Sequence, residues 1–215
     1  MIHRVNSHRR VSASVRILVL VLPVALLMSG VSGCRLLEPA PPARVVEPQV
    51  EWPAPIASQA QHGTLRVMRP EADLTRDARQ ILVRRDDASL QRIPRYLWLE
   101  KSPDLLRSLV LDSVRRAGPF DDAAASGPAD WVLSTTLRRF EGVDSDGRYG
   151  VQIQLFARLI DQPSGSTVAS RLFEIEQPSR DNTPASFIAA FEQALSSLML
   201  DLSNWLAEHS TLTDQ

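Results

Sequence analysis

The sequence predicts an α+β fold, a mainly antiparallel sheet with two amphipathic helices packed on one face. Three observations carry it. Tyr149 to Ile160 alternates, with Val151, Ile153, Leu155, Ala157 and Leu159 on one side and Gln152, Gln154 and Arg158 on the other. That is the signature of a half-buried antiparallel strand. Leu106, Leu109, Val110, Val114 and Ala117 recur at helical spacing, and so do Phe187, Phe191, Ala194, Leu198, Leu202 and Trp205. The order is strands, helix, three-strand meander, helix.

The elements follow in turn. Thr64 to Met68 alternates and predicts a strand, and Gln80 to Arg84 predicts a second, ended by Asp86-Asp87. Leu90 to Trp98 predicts a third, with Pro94 marking an edge or a bend. Ser102-Pro103 opens the first helix as cap and first-turn proline, and Gly118-Pro119 ends it. Trp131 to Glu141 alternates as a long strand before the turn Asp144-Ser145-Asp146-Gly147. After Tyr149–Ile160, the turn Gln162-Pro163-Ser164-Gly165 leads into a strand over Thr167 to Glu176, and Thr183-Pro184 opens the last helix.

The first 33 residues have a different character. Arg4, Arg9, Arg10 and Arg16 precede an unbroken apolar run from Ile17 to Met28. A spanning helix needs about 18 or more apolar residues, so the run reads as the core of a secretory signal, the alternative being a short retained anchor. Val31-Ser32-Gly33-Cys34 follows directly. It resembles the lipobox of bacterial lipoproteins, where small residues fit a narrow peptidase cleft and the cysteine thiol takes a diacylglyceryl group. The resemblance implies a signal peptide over 1–33, a mature chain beginning at lipidated Cys34, and palmitate among its acyl chains. Two or more chains hold a protein durably on a membrane, where one does not. Residue 35 is Arg rather than Asp, which favours the periplasmic face of the outer membrane over retention in the inner one.

Between Cys34 and His62 six prolines crowd a short stretch: Pro39, Pro41, Pro42, Pro48, Pro53 and Pro55. This predicts a linker over 34–62 that reaches up to about 80 Å in extended polyproline form. A docking segment anchored by Trp52 is the alternative. One domain spans 63–209, and 210–215 is a flexible tail.

Composition narrows the chemistry. The chain has 24 basic and 25 acidic residues; four arginines and no acid lie in 1–33, so 20 basic and 25 acidic residues remain, a net of −5. That balance argues against nucleic-acid binding. A single cysteine excludes an intrachain disulfide and a cysteine zinc site. Only His62 and His209 remain after 1–33, too few for a histidine metal site, and they leave a Ser-His-Asp arrangement without support. Asp121-Asp122 reads as a solvated turn. Asp144-x-Asp146-Gly147 lacks the twelfth-position Glu of a calcium loop, having Leu155 there. No glycine-rich phosphate loop is present, so any ATP would be handled by a partner. No enzyme activity, cofactor or metal is expected.

Arg95-Tyr96-Leu97-Trp98-Leu99-Glu100, followed by Pro103 and Leu105-Leu106, resembles the Tyr-x-Trp segment and following helix of the ABC-type transport auxiliary lipoproteins. Ala129-Asp130-Trp131-Val132-Leu133, Leu137 and Phe140 are similar to that family's next strand entry, and Gly165, Phe173 and the final helix continue in its order. The resemblance implies a non-catalytic, lipid-anchored auxiliary subunit for intermembrane lipid transport. Its implied partners are an MCE-domain protein with the associated ABC permease and ATPase, and a ring-like partner would favour a homo-oligomer. A scaffold lipoprotein for outer-membrane assembly is the alternative. Tyr96, Trp98 and Trp131 are the candidate partner-binding residues, since Tyr and Trp dominate interface hot spots; core packing is the competing reading for all three.

Overall fold

A computed structural model describes residues 41–55 and 63–210. Cys34 and its lipobox, the signal segment, His62 and the tail from 211 lie outside the described residues. The described strands are β1 (Arg44–Val46), β2 (Thr64–Val67), β3 (Glu71–Ala72), β4 (Gln80–Arg85), β5 (Leu90–Trp98), β6 (Asp122–Ala124), β7 (Trp131–Ser145), β8 (Arg148–Asp161) and β9 (Thr167–Pro178). The helices are α1 (Ser102–Ala117) and α2 (Pro184–Ser210).

Strand β7 organises the sheet. Along one edge it pairs with β8 antiparallel from Trp131↔Asp161 to Ser145↔Arg148, and β8 pairs with β9 in the same sense. Along its other edge three short strands dock end to end, all parallel: β2 at Leu65↔Trp131, β3 at Glu71↔Thr136 and β4 at Leu82↔Glu141. Strand β6 then adds to β2 in parallel, β5 pairs with β4 antiparallel, and β1 pairs with β5 in parallel. The sheet is therefore mixed, which corrects the expectation of a mainly antiparallel one. The antiparallel meander announces itself through long alternation and tight turns. The parallel strands are two to six residues long, and their pairing depends on crossovers that local patterning does not encode.

The linker expectation also changes. Residues 44–53 are docked on the domain: β1 pairs with β5, Pro48 and Pro53 are buried, and Val46, Val50 and Trp52 pack against the core. Arg116 lies over the Trp52 ring, 4.8 Å from its centroid. Prolines suit this extended strap because they fix φ and need no hydrogen-bond acceptor for a backbone N–H.

Helix α1 begins with Lys101 in the cap position, so Ser102 is its first residue and Pro103 its second. It ends at Gly118, whose φ of 75° is the left-handed stop that glycine tolerates best. Its Ser113 hydroxyl lies 2.8 Å from that of Ser203 on α2, so the two buried hydroxyls satisfy each other at the helix contact. Helix α2 meets the sheet through aromatic rings. Trp98 of β5, Phe140 of β7 and Phe191 of α2 form a triad with centroids 5.1–5.8 Å apart, and Trp205 stands edge-on to Phe173 of β9. Phe187 crosses β7 at Gly142, where a Cβ would stand 3.0 Å from the ring.

Among the described residues one charged side chain is fully enclosed. Glu141 of β7 is 0% exposed. Its carboxylate takes Arg76 at 2.5 Å and Arg84 at 2.5 and 2.8 Å, and Arg76 also holds Asp73. The stretch from Asp73 to Arg76 is thereby pinned to β7. A second cluster fixes its flank: Arg69 bridges Asp104 at the start of α1 and Asp77. The Arg69 hydrogen bonds hold both carboxyls below the usual carboxylate range.

Replacing Glu141 by Ala leaves the enclosed Arg76 with only the half-exposed Asp73 and strips Arg84 of its carboxylate. We expect a loss of about 3–5 kcal/mol in unfolding free energy by urea titration. Glu141→Leu combined with Arg76→Met should recover most of it. A loss of under about 1 kcal/mol for Glu141→Ala would show that the arginines reach water instead.

Candidate functional site

The sequence candidates fall in two environments. Trp98 is 0% exposed in the triad, and Trp131 is buried against Phe120 with centroids 6.3 Å apart. Neither offers surface to a partner in this conformation. Tyr96 is half-buried on β5, and its hydroxyl accepts a hydrogen bond from Arg44 of β1 at 3.2 Å. Trp98 and Tyr96 share a face, as their two-residue spacing requires, but only Tyr96 lies where the strap begins.

The other sequence features sort as local supports. Asp121 accepts from the Gly63 backbone at 2.7 Å, and the Asp122 carboxylate accepts from the Ala123 backbone at 2.7 Å. Arg85 holds Asp144 beneath the β7–β8 turn, and the Asp146 N–H donates to Asp86. Elsewhere on the sheet, Arg138 covers the Phe156 ring, while Arg139 donates to Gln152 at 2.7 Å. His209 lies against the Trp205 carbonyl at 2.9 Å on its own helix. Among the described residues no group of three His, Cys, Asp or Glu is placed to hold a metal. None of the described helices is long and apolar enough to cross a membrane.

The feature that local patterning did not show is a groove between the strap and α2. It has a volume of about 630 Å³ and is lined by Gln49, Glu51, Gln177, Glu192, Gln193 and Ser196 among others. The strap forms one wall because α2 offers acceptors to its backbone. The Gln49 N–H donates to the Glu192 carboxylate at 3.0 Å, and the Glu51 N–H donates to the Ser196 hydroxyl at 2.9 Å. Gln177 of β9 and Gln193 of α2 close the other wall with a 2.7 Å bond. The groove offers amides, hydroxyls and carboxylates, and none of its lining residues is basic. This donor set can bind by hydrogen bonding. It contains no nucleophile paired with a histidine base. Glu192 and Ser196 are one helical turn apart, so their spacing was readable; that a proline-rich stretch supplies their donors was not.

The profile of one family, the ABC-type transport auxiliary lipoprotein component, matches residues 47–203. This chain belongs to that family. The match starts inside the strap, three residues after β1 opens, so the docked segment belongs partly to the shared domain. Family members are lipoproteins that act as auxiliary components of ABC-type transport. Among solved structures, protein XCC0632 from Xanthomonas campestris superposes with a TM-score of 0.73 at 28% identity, over 78% of this chain and 96% of that one. A further crystal structure of an uncharacterised protein, at 15% identity and a TM-score of 0.58, shares the fold over 77% of this chain and 99% of its own. The uncharacterised protein bll6063 of Bradyrhizobium diazoefficiens is 34% identical over 116 residues, 51% of this chain. The match spans only 30% of that relative's length.

Removing the strap's acceptors tests its docking. In the combined Glu192→Ala and Ser196→Ala variant, amides of 49–51 should exchange with solvent faster while global stability falls by no more than about 2 kcal/mol. Unchanged exchange at these amides would mean that β1 and the buried prolines hold the strap without help from α2.

Proposed function

We propose that this chain is a lipid-anchored auxiliary subunit of an ABC transporter of the MCE type, acting by protein binding in intermembrane lipid transport. The observation that carries this reading is the family match over 47–203, beside a lipobox whose Cys34 is the chain's sole cysteine. Lipid on Cys34 fixes one end of the protein to the periplasmic face of the outer membrane, and the domain presents its surfaces to a periplasm-spanning partner. The described domain fits a binding role. Its aromatic side chains are spent mostly on the core, its ionic clusters fix loops, and its groove offers hydrogen-bonding groups. Catalysis of ATP hydrolysis belongs to the partner ATPase in this scheme. A multivalent partner would gather several copies of the chain.

Two measurements test it. Cys34→Ala should move the protein from the membrane to the soluble fraction, and retention in membranes would sink the lipobox reading. Crosslinked capture from membranes, with partners identified by mass, should return an MCE-domain protein with a permease and an ATPase. Recovery of a β-barrel protein or a cell-wall enzyme in their place would favour the scaffold reading.

A further inference from the structure

We propose that the β1–β5 edge, carrying Arg44, Arg92 and Arg95, lies against the anionic headgroups of the membrane that holds Cys34. The proposal rests on the lipid-anchor reading above and adds the orientation of the domain.

Charge is the first argument. Most arginines of the described domain are occupied: Arg69, Arg76, Arg84 and Arg85 in ion pairs, Arg66 and Arg79 on carbonyls, Arg116, Arg138 and Arg171 over rings. Among the described residues Arg92 and Arg95 have no carboxylate partner, and the Arg44 guanidinium has only Tyr96. All three are exposed and sit on two paired strands. The chain from Cys34 onward carries a net of −5, so an anionic surface repels it in most orientations and attracts it in this one.

The backbone gives the second argument. Between the pairs Leu82↔Arg92 and Gln80↔Leu97 the register shifts, and β5 bulges through Pro94 and Arg95. Arg95 has a φ of 67°, a conformation that a non-glycine residue seldom holds. The bulge leaves Pro94 and Arg95 exposed at the sheet margin. Val45, next to Arg44 on β1, is 53% exposed, an aliphatic side chain adjacent to a cation in the strand, as suits a headgroup boundary. Acids bound the stretch on both sides, with Glu47 past the far end of β1 and Asp86 and Asp87 in the β4–β5 turn. The contact is therefore confined to the arginine-bearing length.

Tether length is the third argument. Arg44 is ten residues from Cys34, a reach of at most about 35 Å. A domain of this size is roughly 40 Å across. The chain therefore enters the domain at β1 on a tether no longer than the domain is wide, and the β1 edge is held on the membrane side.

The lipidated protein, reconstituted in vesicles, tests this. Its native thiol is blocked by the lipid, so an introduced Val45→Cys or Leu172→Cys takes a fluorophore alone. Leu172 lies on β9, at the opposite margin of the sheet, and is also exposed. We expect a lipid-borne quencher to act at position 45 and not at 172 in phosphatidylcholine vesicles containing phosphatidylglycerol. Added salt should weaken the effect. One cation near an anionic surface is worth about fivefold in partition, so Arg44→Gln, Arg92→Gln and Arg95→Gln together should lower the docked-to-undocked ratio on the order of a hundredfold. Equal quenching at both positions, indifference to phosphatidylglycerol, or an unaffected triple variant would overturn the proposal. With Cys34 shown acylated by mass, such a result sinks the orientation alone. An unmodified Cys34 sinks the anchor and the orientation together.

Discussion

Backbone pairing along β7 is the constraint on which the other elements depend. A fifteen-residue strand has two edges, and each unpaired N–H or C=O buried beside a core is costly. The β8 hairpin fills one edge with local contacts. The other is filled by β2, β3 and β4, three pieces separated in sequence by loops, each in parallel register. Because these pieces are short, none has enough rungs to be stable by itself. Each needs a second fixture, and the structure supplies one. Strand β2 gains β6 on its far side, β4 gains β5, and the loop after β3 gains the Glu141 cluster.

The Glu141 cluster shows why a buried charge is kept at a seam. Glu141 lies on β7 opposite Leu82 of β4, and its acceptors are met by guanidinium groups from β4 and from the loop between β3 and β4. Burying a carboxylate is unfavourable unless it is paired and hydrogen-bonded. Two arginines meet that condition because their planar donor groups can serve one carboxylate from two directions. Apolar side chains at the same positions would pack as well, but would not dictate which loop residue meets which strand position. The aromatic triad does the comparable work on the helix side, where Trp98, Phe140 and Phe191 bring β5, β7 and α2 to one point.

Legibility in the sequence followed the range of the interactions. The β7–β8–β9 meander and both helices were readable because alternation, turns, caps and apolar stripes are local signals. Strands β1, β3 and β6 were not, since two or three residues make no period and their partners lie far along the chain. The strap was hidden for a related reason. Its prolines give the same composition whether the chain is solvated or laid against the domain, and the groups that hold it, β5, Arg116, Glu192 and Ser196, all lie far along the chain. Tyr-x-Trp was visible as a pair, but spacing could not say that Trp98 turns into the core while Tyr96 stops at its margin. The family resemblance was legible because it rests on the ordered combination of these same strands and helices.

Docking of the strap alters the mechanics of the anchoring proposed at Cys34. A free proline-rich linker over 34–62 would let the domain range up to about 80 Å from the membrane at full extension. In the anchoring proposed at Cys34, with 44–53 fixed on the domain, ten residues separate the anchor from β1, at most about 35 Å and under half of that reach. The volume the domain can explore falls with roughly the cube of that length, so its effective concentration at the membrane-proximal end of a partner rises more than tenfold. The chain also enters at a fixed point on a rigid sheet edge, so rotation is restricted together with reach. For the binding role proposed above, both restrictions favour engagement, because less orientational freedom remains to be lost when a partner is met.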